Sequence, residues 1–313
     1  MQLPEIRSPG VSSVSNIGLK SPFLLENESE YRLWKQAKLD LVGRSNASEA
    51  LLIHRDYAMG ETIMADVIDR FQAFNFVKYC FDDTLDPASS DVFLHLTRQF
   101  GLQQIDANLA ARASGISEIQ AVSDQDHRSQ YIPYTNRALN WHTDGYYNPP
   151  EQQIAAFALH CVRPAEKGGE NFFFDHEMMY LKIREVSEDL IAALMDPELM
   201  VIPANVQDNQ VIRTAQSGPV FSVDYPTQQL RMRYSARPRN ISWKNDKTSQ
   251  RAVELIREIL MDDDQVQRMK LDAGQGVICN NLLHGRTAFL DSGPSASRLY
   301  LRARFCNPVE IKQ

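Results

Sequence analysis

Residues 297–305 read SRLYLRARF and alternate strictly. Leu299, Leu301, Ala303 and Phe305 fall on one side, and Arg298, Tyr300, Arg302 and Arg304 on the other. A period of two is that of a β-strand, whose side chains point to opposite faces in turn. The apolar face packs on a core. Three guanidiniums and a phenol on the other face are costly to bury unless anions meet them. The alternative is a strand whose arginines stand in water, and for Arg304 both readings are open.

Outward from that strand, short apolar or alternating runs bounded by Gly and Pro recur from about residue 115 onward. They are EIQAVS (118–123), QIAAFALHCV (153–162), NFFFD (171–175), LRMRYS (230–235) and GVICNN (276–281). Short strands at this spacing argue for a sandwich or barrel. Two helical patterns interrupt them: EMMYLKIREVSEDLIAALM, broken at Ser187, with His176 at its start, and SQRAVELIREILMDDD, with Val253, Ile256, Ile259 and Leu260 on one stripe. The first third is mixed. A helix is expected from Ser29 to Gly43 with Leu33, Trp34, Ala37 and Leu41 on its apolar face, then ETIMADVIDRFQAF, the strand FNFVKYC, and SSDVFLHLTRQFG. The first twenty residues read as an irregular arm. No repeat or Pro/Gly-rich linker divides the chain, so the expectation is one domain over 1–313, mainly β with flanking helices. In it, a mixed α/β part (1–110) packs on a core formed by 111–313.

The bulk properties narrow the function. The chain has 313 residues, 43% hydrophobic and 23% charged, enough to bury a core without staples. A net charge of −7 and a pI near 5.6 argue against nucleic acid or an anionic membrane as partner. With no apolar run of transmembrane length and no signal-like start, the expected location is cytoplasmic. Cys80, Cys161, Cys279 and Cys306 are far apart and read as free thiols. A small molecule is the expected partner, and a homo-oligomer the expected assembly.

Which small molecule turns on NWHTDGYYNPP (140–150). If the segment is extended, His142 and Asp144 share a face and Thr143 points away. An H-x-D pair alone arises easily by chance. His284, in GVICNNLLHGRTAF, offers a third ligand, and Gly285 after it lets backbone approach closely. Two imidazoles and a carboxylate make the facial triad of non-haem Fe(II) oxygenases, whereas an all-oxygen set would suit magnesium. The competing reading of His284 is a satisfied polar residue at a strand end. Arg298 comes back beside such a metal if its strand neighbours that of His284, and a guanidinium there grips a dicarboxylate.

WHTD, the distal HGRTAF, and two arginines four residues apart together resemble the taurine dioxygenase (TauD/TfdA) and clavaminate synthase superfamily. NNLLHGRTAF and SRLYLR are similar to its clavaminate synthase and asparagine oxygenase branch. The likeness runs from about residue 110 to the C-terminus and implies a double-stranded β-helix (a jelly roll, cupin-like). It also implies an oxygenase that uses Fe(II), 2-oxoglutarate and O2 and releases succinate and CO2. His142, Asp144 and His284 match the iron ligands, and Arg298 the arginine for the distal carboxylate of 2-oxoglutarate. KGGEN (167–171) resembles a segment whose threonine contacts that co-substrate; here the position is Asn171, still a donor. Asp144 stands where the clavaminate synthase branch often has Glu. Arg302 matches an arginine that holds a substrate sulfonate or carboxylate, which points to an amino acid-like substrate.

Retention of the carboxylate ligand disfavours halogenation, so hydroxylation of an unactivated C–H bond is the expected outcome. Desaturation or cyclisation by the same chemistry, and a cupin-type hydrolase or isomerase, are the alternatives. Tyr146 and Tyr147 line the pocket or pack in the core. The basic segment 232–246, with Arg233 and Arg237, reads as a lid or, more simply, a solvated face.

Overall fold

The computed structural model describes residues 20–54, 60–106, 114–207, 210–237, 239, 241–293 and 297–311. Apart from Lys20, the expected N-terminal arm lies outside the described residues. Two sheets carry the fold. The larger has the strand order Ala50–Ile53, Phe76–Phe81, Gln275–Asn280, Ala156–Arg163, Leu299–Phe305 and Ser117–Ile119. Its first pair is parallel and the other pairs are antiparallel. The smaller is antiparallel throughout, in the order Gln267–Met269, Asn171–Phe174, Leu283–Arg286 and Leu139–His142. Neighbours in both sheets come from distant parts of the chain, as a jelly roll requires. The sheets face each other. Phe76 stacks on Phe173 at 5.6 Å, and Phe157 lies 4.3 Å from the His284 ring.

The strand Leu299–Phe305 shows why the layers form. Leu301, Ala303 and Phe305 join Ala156, Ala158 and Ile278 on the outer face of the large sheet. There they meet Val67 and Phe71 of the helix Glu61–Phe74, and Phe93 and Leu96 of the helix Ser90–Gln99. Each large apolar side chain so buried contributes about 1.5–3 kcal/mol. The other face of the strand, with Tyr300, Arg302 and Arg304, is thereby turned inward between the sheets. Arg298 and Arg304 are only 2% and 4% exposed, so the reading of arginines in water does not hold.

The helices follow their caps. Ser89 accepts from the Val92 N–H, and Ser187 both breaks the pattern and caps Glu188–Leu194 by accepting from the Asp189 N–H. His176–Arg184, Glu188–Leu194 and Lys247–Asp262 pack together with Phe221, Leu230 and Met232 as a helical annex.

One expectation is corrected. The helix Glu28–Arg44 begins one residue before Ser29 and runs past Gly43, and Leu33 is 76% exposed. Its buried face is Tyr31, Lys38 and Leu41. Lys38 was concealed by its charge: its ammonium lies 2.6 Å from Asp175 and 2.7 Å from Glu177, and donates to the Gln72 carbonyl. A buried cation with three acceptors can occupy a position that composition alone assigns to an apolar residue. The four cysteines are free. No helix among the described residues is long and apolar enough to cross a membrane.

Candidate metal centre

His142 ends the strand Leu139–His142, and His284 lies directly opposite it in the strand Leu283–Arg286. Cross-strand partners share a face, so the two imidazoles point together, their centroids 4.2 Å apart. A bulge between His284 and Arg286 interrupts the ladder beside the pair. Gly285 is required there: a Cβ would come within 2.2 Å of the Phe172 ring and 2.6 Å of the Leu139 carbonyl oxygen. Asp144 follows in a turn completed by Gly145 at φ +64°. One ligand atom from each of His142, Asp144 and His284 lies within 4.8 Å of the others.

The surroundings prepare these side chains for a cation. Each imidazole donates its Nδ1–H to the carbonyl two residues back, His142 to Asn140 at 2.9 Å and His284 to Leu282 at 3.0 Å. A carbonyl only accepts, so Nε2 keeps its lone pair. Burial lowers the basicity of both rings; His284 is pushed down to about 3, His142's charge adding to the effect. Burial alone would raise the Asp144 carboxyl, but Arg302 and Arg304 outweigh it and hold the group well below the usual carboxylate range. Asp144 Oδ1 accepts from Arg302 Nη1 at 3.2 Å, and Oδ2 is buried without a partner among the described residues. The donor set of two neutral imidazoles and one anionic oxygen fits Fe(II).

Asn281, which the sequence reading passed over, fixes the turn. Its Oδ1 accepts from the Asp144 N–H at 2.8 Å, and its Nδ2 donates to the Asp144 and Ile154 carbonyls. The signal was present as an amide pair just before His284, in a run otherwise apolar.

Arg298 is not on a strand neighbouring His284: it immediately precedes Leu299–Phe305 of the large sheet, whereas His284 lies in the small one. Its backbone N–H donates to Asp291, and its guanidinium lies 3.6 Å above the Tyr300 ring and 5.4 Å from Phe289. Among the described residues, Nε and Nη1 have no hydrogen-bond partner, nor has Nδ2 of Asn171, all of them buried. A Cβ on Gly169 would lie 3.5 Å from Arg298 Nε, so the KGGEN segment closes over that guanidinium. Arg286, also missed, stands opposite Asn171 in the ladder and is held down to about 9 by burial and by Arg298's charge. Buried donors left without acceptors beside two guanidiniums fit the distal carboxylate of 2-oxoglutarate.

The remaining candidates separate. Arg302 lies against Asp144. Arg304 donates to the Tyr147 hydroxyl at 3.1 Å and pairs with Asp106. Tyr146 is buried against Met200 and Ile202, while Tyr147 is exposed. The segment from 232 is less solvated than expected: Thr143 and Ala236 donate to Tyr234 and Trp141 carbonyls, and Tyr234 and Ser235 are buried. Residues 238 and 240 lie outside the described residues. A cavity of about 590 Å³ adjoins the turn between Lys38, Asn281 and Tyr146, touching Asp144 but neither histidine.

Such a jelly roll with this donor set defines a class, the non-haem iron oxygenases. The profile of the "Taurine catabolism dioxygenase TauD, TfdA family" matches residues 56–304, and the chain belongs to that family. Two curated relatives are named uridine-5'-phosphate dioxygenase. One, from Amycolatopsis sp, is 29% identical over 171 residues, which are 53% of this chain and 60% of that protein. The other, from Streptomyces sp, is 25% identical over 291 residues, 88% of this chain and 97% of that protein. Among solved structures, asparagine oxygenase with Fe(II), 2S,3S-3-hydroxyasparagine and succinate is 14% identical, with a TM-score of 0.57 over 89% of this chain and 91% of its own. Non-heme iron oxygenase OrfP with Fe, succinate and (3S)-hydroxy-L-Arg is 14% identical, with a TM-score of 0.59 over 88% and 92%. These two establish likeness of fold.

Proposed function

We propose that the chain is an Fe(II)- and 2-oxoglutarate-dependent oxygenase that hydroxylates a C–H bond of a small, anion-bearing substrate, releasing succinate and CO2. The observation that carries this is the set of buried donors without partners among the described residues, Arg298 Nε and Nη1 with Asn171 Nδ2, Asn171 standing in the ladder beside the strand of His284. A cupin-type hydrolase or isomerase would leave those donors unused. One catalytic domain over the whole chain belongs to this reading, supported by a main sheet that takes strands from residues 50–53 through 299–305.

His142, Asp144 and His284 would hold the iron, and Arg298 with Asn171 the far carboxylate of 2-oxoglutarate. When bound, iron and co-substrate supply with O2 the oxidising power that breaks the C–H bond. The protein's own part is orientation and exclusion. The Asn140 and Leu282 carbonyls fix both rings, Asn281 fixes the Asp144 backbone, and Arg302 holds its carboxylate. Phe157 and the paired sheets keep water from the site. For the substrate, the first reading is an amino acid-like carboxylate or sulfonate. The names of the two curated relatives favour a second, a nucleotide phosphate.

Anaerobic titration of metal-free protein with Fe(II) and 2-oxoglutarate tests the function. A weak visible charge-transfer band is expected on chelation, and its absence would sink the reading. Arg298→Ala should keep Fe(II) binding and lose 2-oxoglutarate affinity by about tenfold or more; unchanged affinity would misplace the co-substrate.

A further inference from the structure

A second group of cations lies around the two tyrosines. Arg237 donates from Nη1 to the Tyr146 hydroxyl at 3.0 Å. Arg213 donates to the Tyr147 carbonyl at 3.0 Å and lies over the Tyr147 ring, 5.5 Å from its centroid. The two rings meet edge to face at 5.2 Å, so both guanidiniums share one small region just beyond Asp144. Among the described residues, the hydrogen-bond partners of both are carbonyls and a hydroxyl rather than carboxylates. Burial, and after it the charge of Arg237, makes Arg213 less basic than usual. Arg233 differs: its guanidinium is spent on the Tyr146, Met200 and Gln216 carbonyls and ties loops together.

Two contacts join this group to the metal centre. The Tyr147 hydroxyl accepts from Arg304, which pairs in register with Phe157, the ring packed on His284. Ser235 pairs with His142 across an isolated antiparallel bridge, so its side chain shares the face of that imidazole. Ser235 is 2% exposed and its hydroxyl has no partner among the described residues. A buried hydroxyl left in that state is destabilising, and a ligand's polar group would relieve it.

We propose that Arg213 and Arg237 bind the phosphate of a phosphate-monoester substrate, with Ser235 facing that substrate between phosphate and metal. One guanidinium fork satisfies a carboxylate, whereas two cations without counter-charge suit a dianion. This rests on the oxygenase reading and narrows its substrate class.

The test is calorimetric titration of the anaerobic Fe(II)- and 2-oxoglutarate-loaded protein with uridine 5'-monophosphate, ribose 5-phosphate, uridine and inorganic phosphate. At least one phosphate ester should bind, and uridine at least about tenfold more weakly than its monophosphate. Arg237→Gln, at an exposed position, and Arg213→Lys and Arg213→Gln should each weaken the ester by about three- to tenfold while leaving uridine unchanged. No binding by either ester overturns the inference. So does equal affinity for uridine and its monophosphate, or ester affinity indifferent to all three substitutions. The visible chelate band in the same samples separates the two readings. Loss of the band with phosphate selectivity kept sinks the oxygenase and leaves the subsite; the reverse sinks only the subsite.

Discussion

His142 and His284 are direct cross-strand partners, with their rings 4.2 Å apart. The sheet, more than the side chains, sets that spacing, and Gly285 lets the two strands and Phe172 come together. Gly285→Ala should therefore force the strands apart, at a cost of about 1–3 kcal/mol for overpacking. Chemical denaturation together with an Fe(II) competition assay checks this. A variant as stable and as metal-avid as the parent would show that the contact relaxes freely.

Asn281 touches no metal, yet it holds the backbone of a ligand. Asn281→Ala removes three hydrogen bonds around Asp144 and Ile154. Outer-shell losses of this kind weaken metal binding by about 10–100-fold. Competition against a chromophoric chelator should show such a loss, and Asn281→Asp should not restore the parent value, because a carboxylate cannot donate to the two carbonyls. Unchanged affinity for both variants would reject the role.

His160 predicts an acid sensitivity independent of iron. It lies in the core, donating through Nε2 to the Pro87 carbonyl at 2.9 Å and accepting at Nδ1 from the Tyr79 hydroxyl at 2.9 Å. Burial pushes its basicity down to about 4 from an ordinary 6.5. Above pH 6.5 it is neutral whether folded or unfolded. As pH falls from 6.5 to 4, the unfolded chain binds a proton that the folded chain refuses, so stability drops, by about 3 kcal/mol in all. Denaturation of metal-free protein at several pH values, compared with His160→Gln, isolates this term from the two ligand histidines. Parallel profiles would disprove it.

Lys38→Met should be among the most damaging single changes in the first third. It leaves Asp175 and Glu177 close together without their cation, a loss of about 3–5 kcal/mol. Urea denaturation measures it, and a triple change that also neutralises both acids should recover much of the loss.

Legibility in the sequence followed the range of the forces involved. Glu61–Phe74 matches its expected span, and Ser187 breaks the annex where its cap chemistry says it should, because both signals are local. The alternation in 299–305 told which face was apolar, but not which sheet the strand joins; hence the misplaced neighbour relation between Arg298 and His284. Leu33 misled because hydrophobicity was read as burial, while Lys38 is inside through partners at residues 175 and 177. His142, Asp144 and His284 do come together, since ligand types and order carry that information. Asn281 and Ser235 matter through contacts 137 residues back and across an isolated bridge; the amide pair at 280–281 was a local sign of the first, and no local pattern marks the second.

The separation between Asp144 and Asn281 has a consequence for biosynthesis. Asp144 is held by a residue 137 positions later, and Asn280 next to it bonds to Asn75, 205 positions earlier. A chain still emerging from the ribosome has His142 and Asp144 long before it has His284 or the amides that fix their turn. Until then it offers iron two loosely held ligands, a poor chelate. The three candidate ligands can therefore come together only once residues 281–284 have been made, well after the first two.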